Sequence, residues 1–273
     1  MVRLQGRVQE LTPEGKGGRR ARPSRLSEVR PLAVEGLDVR YGAVRAVTDV
    51  ALEVAAGSVV GLLGPNGCGK SSTLRAVVGP LRPQVGRVIV NGLDQGSTSA
   101  RAQLAYVPDE PQGLDELAVS EYLALVRALY RDGAAFDARA AALCDAFGLS
   151  SRLRVRVGAL SHGQVRVVSI VAALALARPL LVVDEATAAL DPVAIVVLRE
   201  ALRAAAAQGA GVLLATQDLA FAERVCDDVV LLSEGRVVAS GGVQDLSPLE
   251  ETFLTAVGAA ARVGEVRRAL RDL

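Results

Sequence analysis

Short β-rich runs alternating with helical stretches predict an α/β protein built on a mainly parallel sheet with helices on its faces. Two observations carry that prediction. Four apolar runs, Val59 to Leu63, Leu180 to Val183, Val212 to Ala215 and Val229 to Leu232, have the length and unbroken hydrophobicity of strands buried on both sides. A glycine-rich stretch follows the first of them directly and leads into the helical run Ser72 to Val78. The composition agrees, because 273 residues at 51% hydrophobic and 22% charged suffice for a substantial core.

Taken in order, residues 1–32 carry eight basic side chains against three acidic ones. Gly15, Gly17, Gly18, Arg19, Arg20, Arg22, Pro23 and Arg25 show no apolar period there. Such a segment buries too little to offset its ordering entropy, so a basic, disordered extension is expected. The α/β pattern occupies residues 33–245. Within it, about residues 110–164 change texture into an inserted helical subdomain. Val119, Tyr122, Leu123, Val126, Leu129 and Tyr130 fall on one helical face, and Ala140, Leu143, Cys144 and Phe147 repeat it, with Gly148 as a helix stop. Residues 246–273 are expected to form a helical tail. No internal repeat is present.

Lysine and arginine total 31 against 30 aspartate and glutamate, so the net charge of +1 supplies no general attraction to nucleic acid, and none is expected as a partner. The longest central apolar stretch, Val167 to Ala177 broken only by Ser169, is about half of the roughly 20 residues a membrane-spanning helix needs. Any membrane role therefore requires another subunit. Three widely spaced cysteines, Cys68, Cys144 and Cys226, and a single histidine form no zinc ligand set and suit a reducing, cytoplasmic compartment. No apolar block of a secretory signal follows the basic N-terminal residues.

The segment Gly64, Pro65, Asn66, Gly67, Cys68, Gly69, Lys70, Ser71 fits the pattern G-x-x-x-x-G-K-[ST] in the strand-to-helix context that it requires, with Ser72 next in line. Its glycines let successive backbone N–H groups face inward, and with a helix N-terminus these donors bind phosphate. Lys70 adds a point charge for the β- and γ-phosphates, and the Ser71 hydroxyl is placed to ligate Mg²⁺. A second acidic station should end a neighbouring buried strand. Leu180 to Val183 is followed by Asp184 and Glu185, the first suited to the Mg²⁺ shell and the second to activating water. A guanine site needs an Asn-Lys-x-Asp element, but no lysine follows Lys70, so ATP is the expected nucleotide. Cys68, among inward N–H groups and beside Lys70, is expected to have a depressed pKa and to react readily. Cys144 and Cys226 read as small core residues.

At Leu160, Ser161, His162, Gly163, Gln164 the chain resembles the ATP-binding-cassette (ABC) ATPases, whose signature is usually LSGGQ. The resemblance runs from about Ala33 to Val257. Val39 to Gly42 looks like the adenine-stacking segment, with Tyr41 as the ring; Tyr106 to Asp109 looks like the coupling loop; Ala188 to Asp191 looks like the loop that links two cassettes. The resemblance implies a P-loop NTPase (RecA-like) core with the inserted helical subdomain and a small antiparallel β element. It also implies a head-to-tail dimer of cassettes, in which Ser161 and Gly163 complete the partner's ATP site and Asp191 acts across the interface. Leu-Asp-Pro at Asp191 is also an ordinary helix N-cap sequence. Implied partners are a second cassette, identical or not, and an integral-membrane permease that holds the chain at the cytoplasmic face. The segment Pro108 to Pro111 and the tail around Leu249 to Leu254 look like the branch serving ABC-2 type exporters.

Three positions depart from the family pattern. Gln217 stands where a γ-phosphate-contacting histidine is usual, Asp109 where the coupling loop has glutamine and a metal ligand is expected, and His162 replaces the first signature glycine. Glutamine donates a hydrogen bond but carries no imidazolium charge. Loss of one transition-state donor commonly costs about 100- to 1,000-fold, so slow or conditional hydrolysis is expected. The alternative is a nucleotide-clamping regulatory cassette with little turnover, paired with an active sister.

Overall fold

The computed structural model describes residues 30–111, 115–185 and 187–260. The first 29 residues of the expected extension and the last 13 of the expected tail lie outside the described residues. The described residues open with strands β1 (Leu32–Tyr41), β2 (Val44–Val54) and β3 (Val59–Leu63), then helix α1 (Lys70–Val78). Next come β4 (Val85–Val90), β5 (Leu93–Asp94), the short α2 (Thr98–Arg101) and β6 (Leu104–Val107). Helices α3 (Val119–Leu129) and α4 (Ala134–Ala146) and two 3₁₀ turns lead to α5 (His162–Ala175) and β7 (Leu180–Asp184). The remainder is α6 (Pro192–Ala207), β8 (Gly211–Thr216), α7 (Leu219–Val225), β9 (Asp228–Ser233), β10 (Arg236–Gly242), α8 (Val243–Leu246) and α9 (Leu249–Ala256).

Two sheets organise these elements. The larger has the order β10-β9-β3-β8-β7-β6, parallel throughout except for β10, which pairs antiparallel with β9. The smaller is antiparallel, in the order β2-β1-β4-β5. All four predicted apolar runs are strands of the larger sheet, and their alternating side chains feed two separate cores. Val59, Leu181, Val183, Val212, Leu214, Val229 and Leu231 face one core, with α5, α6 and α7. Val60, Leu62, Leu180, Val182, Leu213, Val230 and Leu232 face the other, with α1 and the small sheet. An unbroken apolar run is thus the signature of a sheet covered on both faces.

Local chemistry sets the helix starts. The Asp191 carboxylate accepts the Ala194 N–H at 2.8 Å and Pro192 occupies the first turn of α6, where its missing N–H costs nothing. Ser161 caps α5 reciprocally with Gln164, each side chain accepting the other's backbone N–H. The Phe147 end of α4 runs into Gly148 at φ 70°, the left-handed turn expected of a stop. Val119 and Leu123 of the expected α3 face are buried, but Leu129 is 70% exposed. Leu129 lies at the edge of the helical stripe, roughly 80° from Val119, and the adjacent Tyr130 packs against the core in its place. Leu32, assigned to the extension from composition, is fully buried and pairs with both Val54 and Val90. One leucine says little to a compositional window, whereas two ladder partners settle its place.

Candidate functional site

The C-terminal ends of β3, β7, β8 and β6 converge on one edge of the larger sheet, where open α/β sheets bind ligands. After Leu63 the chain turns through Gly64, where any Cβ would lie 2.3 Å from the Leu232 carbonyl oxygen and 2.7 Å from Cys68 Sγ. Gly69 at φ 112° ends the loop, and a Cβ there would meet the Ala46 carbonyl oxygen at 2.6 Å. These two glycines are therefore demanded by close backbone approach as well as by conformation. Pro65, Asn66 and Gly67 form the exposed rim, and Ser71 is exposed on the first turn of α1.

Lys70 is buried, with Nζ donating to the carbonyls of Gly64 at 2.8 Å and Pro65 at 3.3 Å. Nζ also lies 3.2 Å from Glu185 Oε1. The other carboxylate oxygen of Glu185 accepts from the Thr216 hydroxyl at 3.2 Å and from the Gln217 backbone N–H at 3.3 Å. The structure thus brings together Lys70, Glu185 and Gln217 from three segments. Glu185 has φ 45°, unusual for a residue with a side chain.

Asp184, at the end of β7, is 4% exposed, and its Oδ1 has no hydrogen-bond partner among the described residues. Burial, and secondarily the charges of Asp109 and Glu185, push its carboxyl up to about 6 against the opposing pull of Lys70 and Arg166. An orphaned, desolvated carboxylate oxygen beside a phosphate loop fits a divalent cation. Among the described residues, no group of three or more acidic, histidine or cysteine side chains could hold an ion unaided. A cation here would draw most of its ligands from phosphate and water, as is usual for Mg²⁺.

Cys68 departs from expectation. Its thiol is buried against the core and burial pushes its pKa up, overriding Lys70 and the loop N–H groups, so the depressed value predicted from its neighbours is wrong. The motif shows which groups surround Cys68 but not that its side chain points inward, away from the rim. Cys144 and Cys226 are buried, as expected, and burial pushes Cys226 up to about 12.

Tyr41 stands 43% exposed at the end of β1. His162 and Ser161 are exposed at the start of α5, with Leu160, Gly163 and Gln164 half-buried. A Cβ on Gly163 would lie 2.4 Å from the Ala189 carbonyl oxygen, so the signature loop and the loop before Asp191 touch within one chain. Sequence reasoning missed Arg166. It is 2% exposed, and its guanidinium contacts the Glu185 carbonyl at 2.7 Å, the Asp109 carboxylate at 3.1 Å and the Asp109 carbonyl. The available signal was its standing as the sole charge from Val165 to Ala177, since arginine is almost never fully buried without partners.

Comparison with known proteins follows the same lines. A family model described as ABC transporter matches residues 47–188. The hemin import ATP-binding protein HmuV of Pseudomonas entomophila (strain L48) is 37% identical over 218 residues, covering 75% of this chain and 84% of that protein. The Nod factor export ATP-binding protein I of Rhizobium leguminosarum bv. viciae is 35% identical over 217 residues, covering 77% of this chain and 70% of that protein. A solved structure of the ATP-binding subunit of an ABC transporter superposes with a TM-score of 0.79 at 35% identity, over 83% of this chain and 99% of that one.

Proposed function

The chain belongs to the ABC transporter family as an ATP-binding, transport-coupled ATPase subunit, and from that premise we propose that it drives a separately encoded permease, in the export direction, by ATP-dependent closure of a cassette dimer. The observation that carries the reading is the convergence of Lys70, Asp184 and Glu185 at the ends of β3 and β7, with Lys70 Nζ 3.2 Å from Glu185. Among the described residues no helix is long and apolar enough to cross a membrane; the relatives named as ATP-binding proteins of export and import support peripheral attachment at the cytoplasmic face through a separate permease. The Nod factor relative supports export, and the hemin relative is the contrary precedent.

ATP enters with its triphosphate along Gly64 to Ser72 and its adenine against Tyr41. The loop N–H groups and the N-terminus of α1 take the phosphate charge. Lys70 then exchanges its two carbonyl acceptors and Glu185 for phosphate oxygens, a stronger charge-assisted contact. Release of Lys70 frees the Glu185 carboxylate to take a proton from the attacking water. Ser71 and Asp184 would hold Mg²⁺, which when bound neutralises phosphate charge; Asp109, the third expected ligand, shares its carboxylate with Arg166. Ser161 and Gly163 present the start of α5 to the ATP of a partner cassette, so that ATP joins the two chains and hydrolysis parts them. Asp191 both caps α6 and faces the partner. Gln217 contributes its backbone N–H to Glu185 but no cationic side chain, so turnover is slow.

Calorimetry with Mg-ATP and single-turnover cleavage test the reading. The parent binds and cleaves ATP, and Lys70→Ala loses both. No heat of association, or Lys70→Ala behaving as the parent, overturns it. Co-purification from membranes identifies the permease.

A further inference from the structure

Glu185 stands in left-handed backbone geometry, where its side-chain direction depends on whatever holds its peptide in place. Part of that hold is local, the Ala188 N–H donating to the Glu185 carbonyl at 3.2 Å, and the rest comes from other segments, the Glu185 N–H donating to the Ala215 carbonyl at 2.9 Å. Arg166, buried in α5 five residues after Ser161, donates from Nη1 to the Glu185 carbonyl at 2.7 Å. From Nη2 it contacts the Asp109 carbonyl and the Asp109 carboxylate, the latter at 3.1 Å, while its Nε has no partner among the described residues. One planar fork thus spans three segments: the helix that begins with the signature residues, the loop that follows β6, and the strand end that carries the hydrolytic acid. Lysine has a single flexible ammonium and lacks this fixed divergence of donors.

We propose that Arg166 is the positioning residue for Glu185, clamping its peptide and that of Asp109 onto α5, so that movement of the loop at Asp109 changes the aim of the hydrolytic carboxylate. The inference rests on the reading of Glu185 as the group that activates water. It also explains Asp109, the acid found where the family pattern has glutamine: a buried guanidinium needs a countercharge, and Asp109 Oδ1 provides it. Arg166 acts through another residue and does not itself reach the reacting atoms. Its removal should therefore lower kcat and leave nucleotide affinity intact, whereas loss of a purely structural residue should lower thermal stability and spare the rate of the folded fraction.

The test uses the full chain and measures kcat, KM, Mg-ATP affinity and thermal midpoint. Arg166→Gln is expected to lower kcat about 10- to 100-fold, the scale set by roughly 1 Å of misplacement, with KM within about threefold of the parent. Arg166→Lys should recover part of that loss. Because Arg166 works through Glu185, the double variant Arg166→Gln/Glu185→Gln should be no slower than Glu185→Gln alone. Parent-like kcat in folded Arg166→Gln, KM rising in step with the loss, or full additivity in the double variant overturns the proposal. Should Arg166→Gln not fold, Arg166→Lys decides: kcat reduced at least fivefold with unchanged KM supports the proposal, and parent-like kcat overturns it. If Glu185→Gln cleaves ATP as the parent does, the reading of Glu185 fails first. An impaired Glu185→Gln beside an unimpaired Arg166→Gln refutes the positioning role alone.

Discussion

Replacing Gly163 by alanine adds one carbon at the start of α5, and the structure says what that carbon meets. It would sit 2.4 Å from the Ala189 carbonyl oxygen, where ordinary contact begins at 3.4 Å, so backbone on one side or the other must move by about 1 Å. Neither side is a flexible side chain, and the movement falls on the loop before Asp191 or on the signature turn capped by Ser161. Overpacking of this kind costs about 1–3 kcal/mol, which at roughly 2–4 °C per kcal/mol for a chain of this size lowers the melting temperature by several degrees. A displacement near 1 Å of groups that position a reacting phosphate costs up to about 100-fold in rate. Thermal unfolding and steady-state ATPase activity measure the two effects on one preparation. Gly133→Ala is the control: with nothing within 4 Å it should leave the ATPase rate unchanged, and as the N-cap of α4 it should cost no more than about 1 kcal/mol of stability. If Gly163→Ala melts and turns over as the parent does, the two loops are not in contact and the reasoning fails.

Glu185→Gln should retain Mg-ATP binding and lose about 10²- to 10⁴-fold in single-turnover cleavage, and unchanged cleavage would remove Glu185 from the mechanism. Gln217→His should raise the ATPase rate if the missing cationic side chain limits it; no gain means that Gln217 is not the defect. Native chain should label slowly with a maleimide at neutral pH and take up three equivalents only on unfolding, since all three thiols are buried and burial pushes each pKa up. Because ionisation of Cys226 moves to about 12, raising the pH to 9 should leave its native-state labelling slow, and rapid native labelling would contradict the packing.

The buried strands, the glycine-rich loop and the acids at the end of β7 were legible because each is a local pattern. Val59 to Leu63 and Leu180 to Val183 are continuous apolar runs, and the glycine spacing before Lys70 is a backbone requirement expressed directly as composition. The cap of α6 was legible for the same reason, since Asp191 and Pro192 act within one turn of their own positions. Family resemblance extended this to stations such as Gln217 and Asp109, naming their places without their contacts.

Other features depend on neighbours far along the chain. Arg166 meets Asp109 across 57 positions and Glu185 across 19, distances over which no sequence period operates. The direction of the Cys68 thiol is set by the turn of the loop and the packing beneath it, so a motif that placed it beside Lys70 still misjudged its pKa. Leu129 fits the helical period only at the edge of its stripe and is exposed, while the adjacent Tyr130 packs against the core. Chain-local interactions write themselves into residue order; contacts between β6, β7 and α5 exist only after the sheet has assembled, and it is those contacts that aim Glu185.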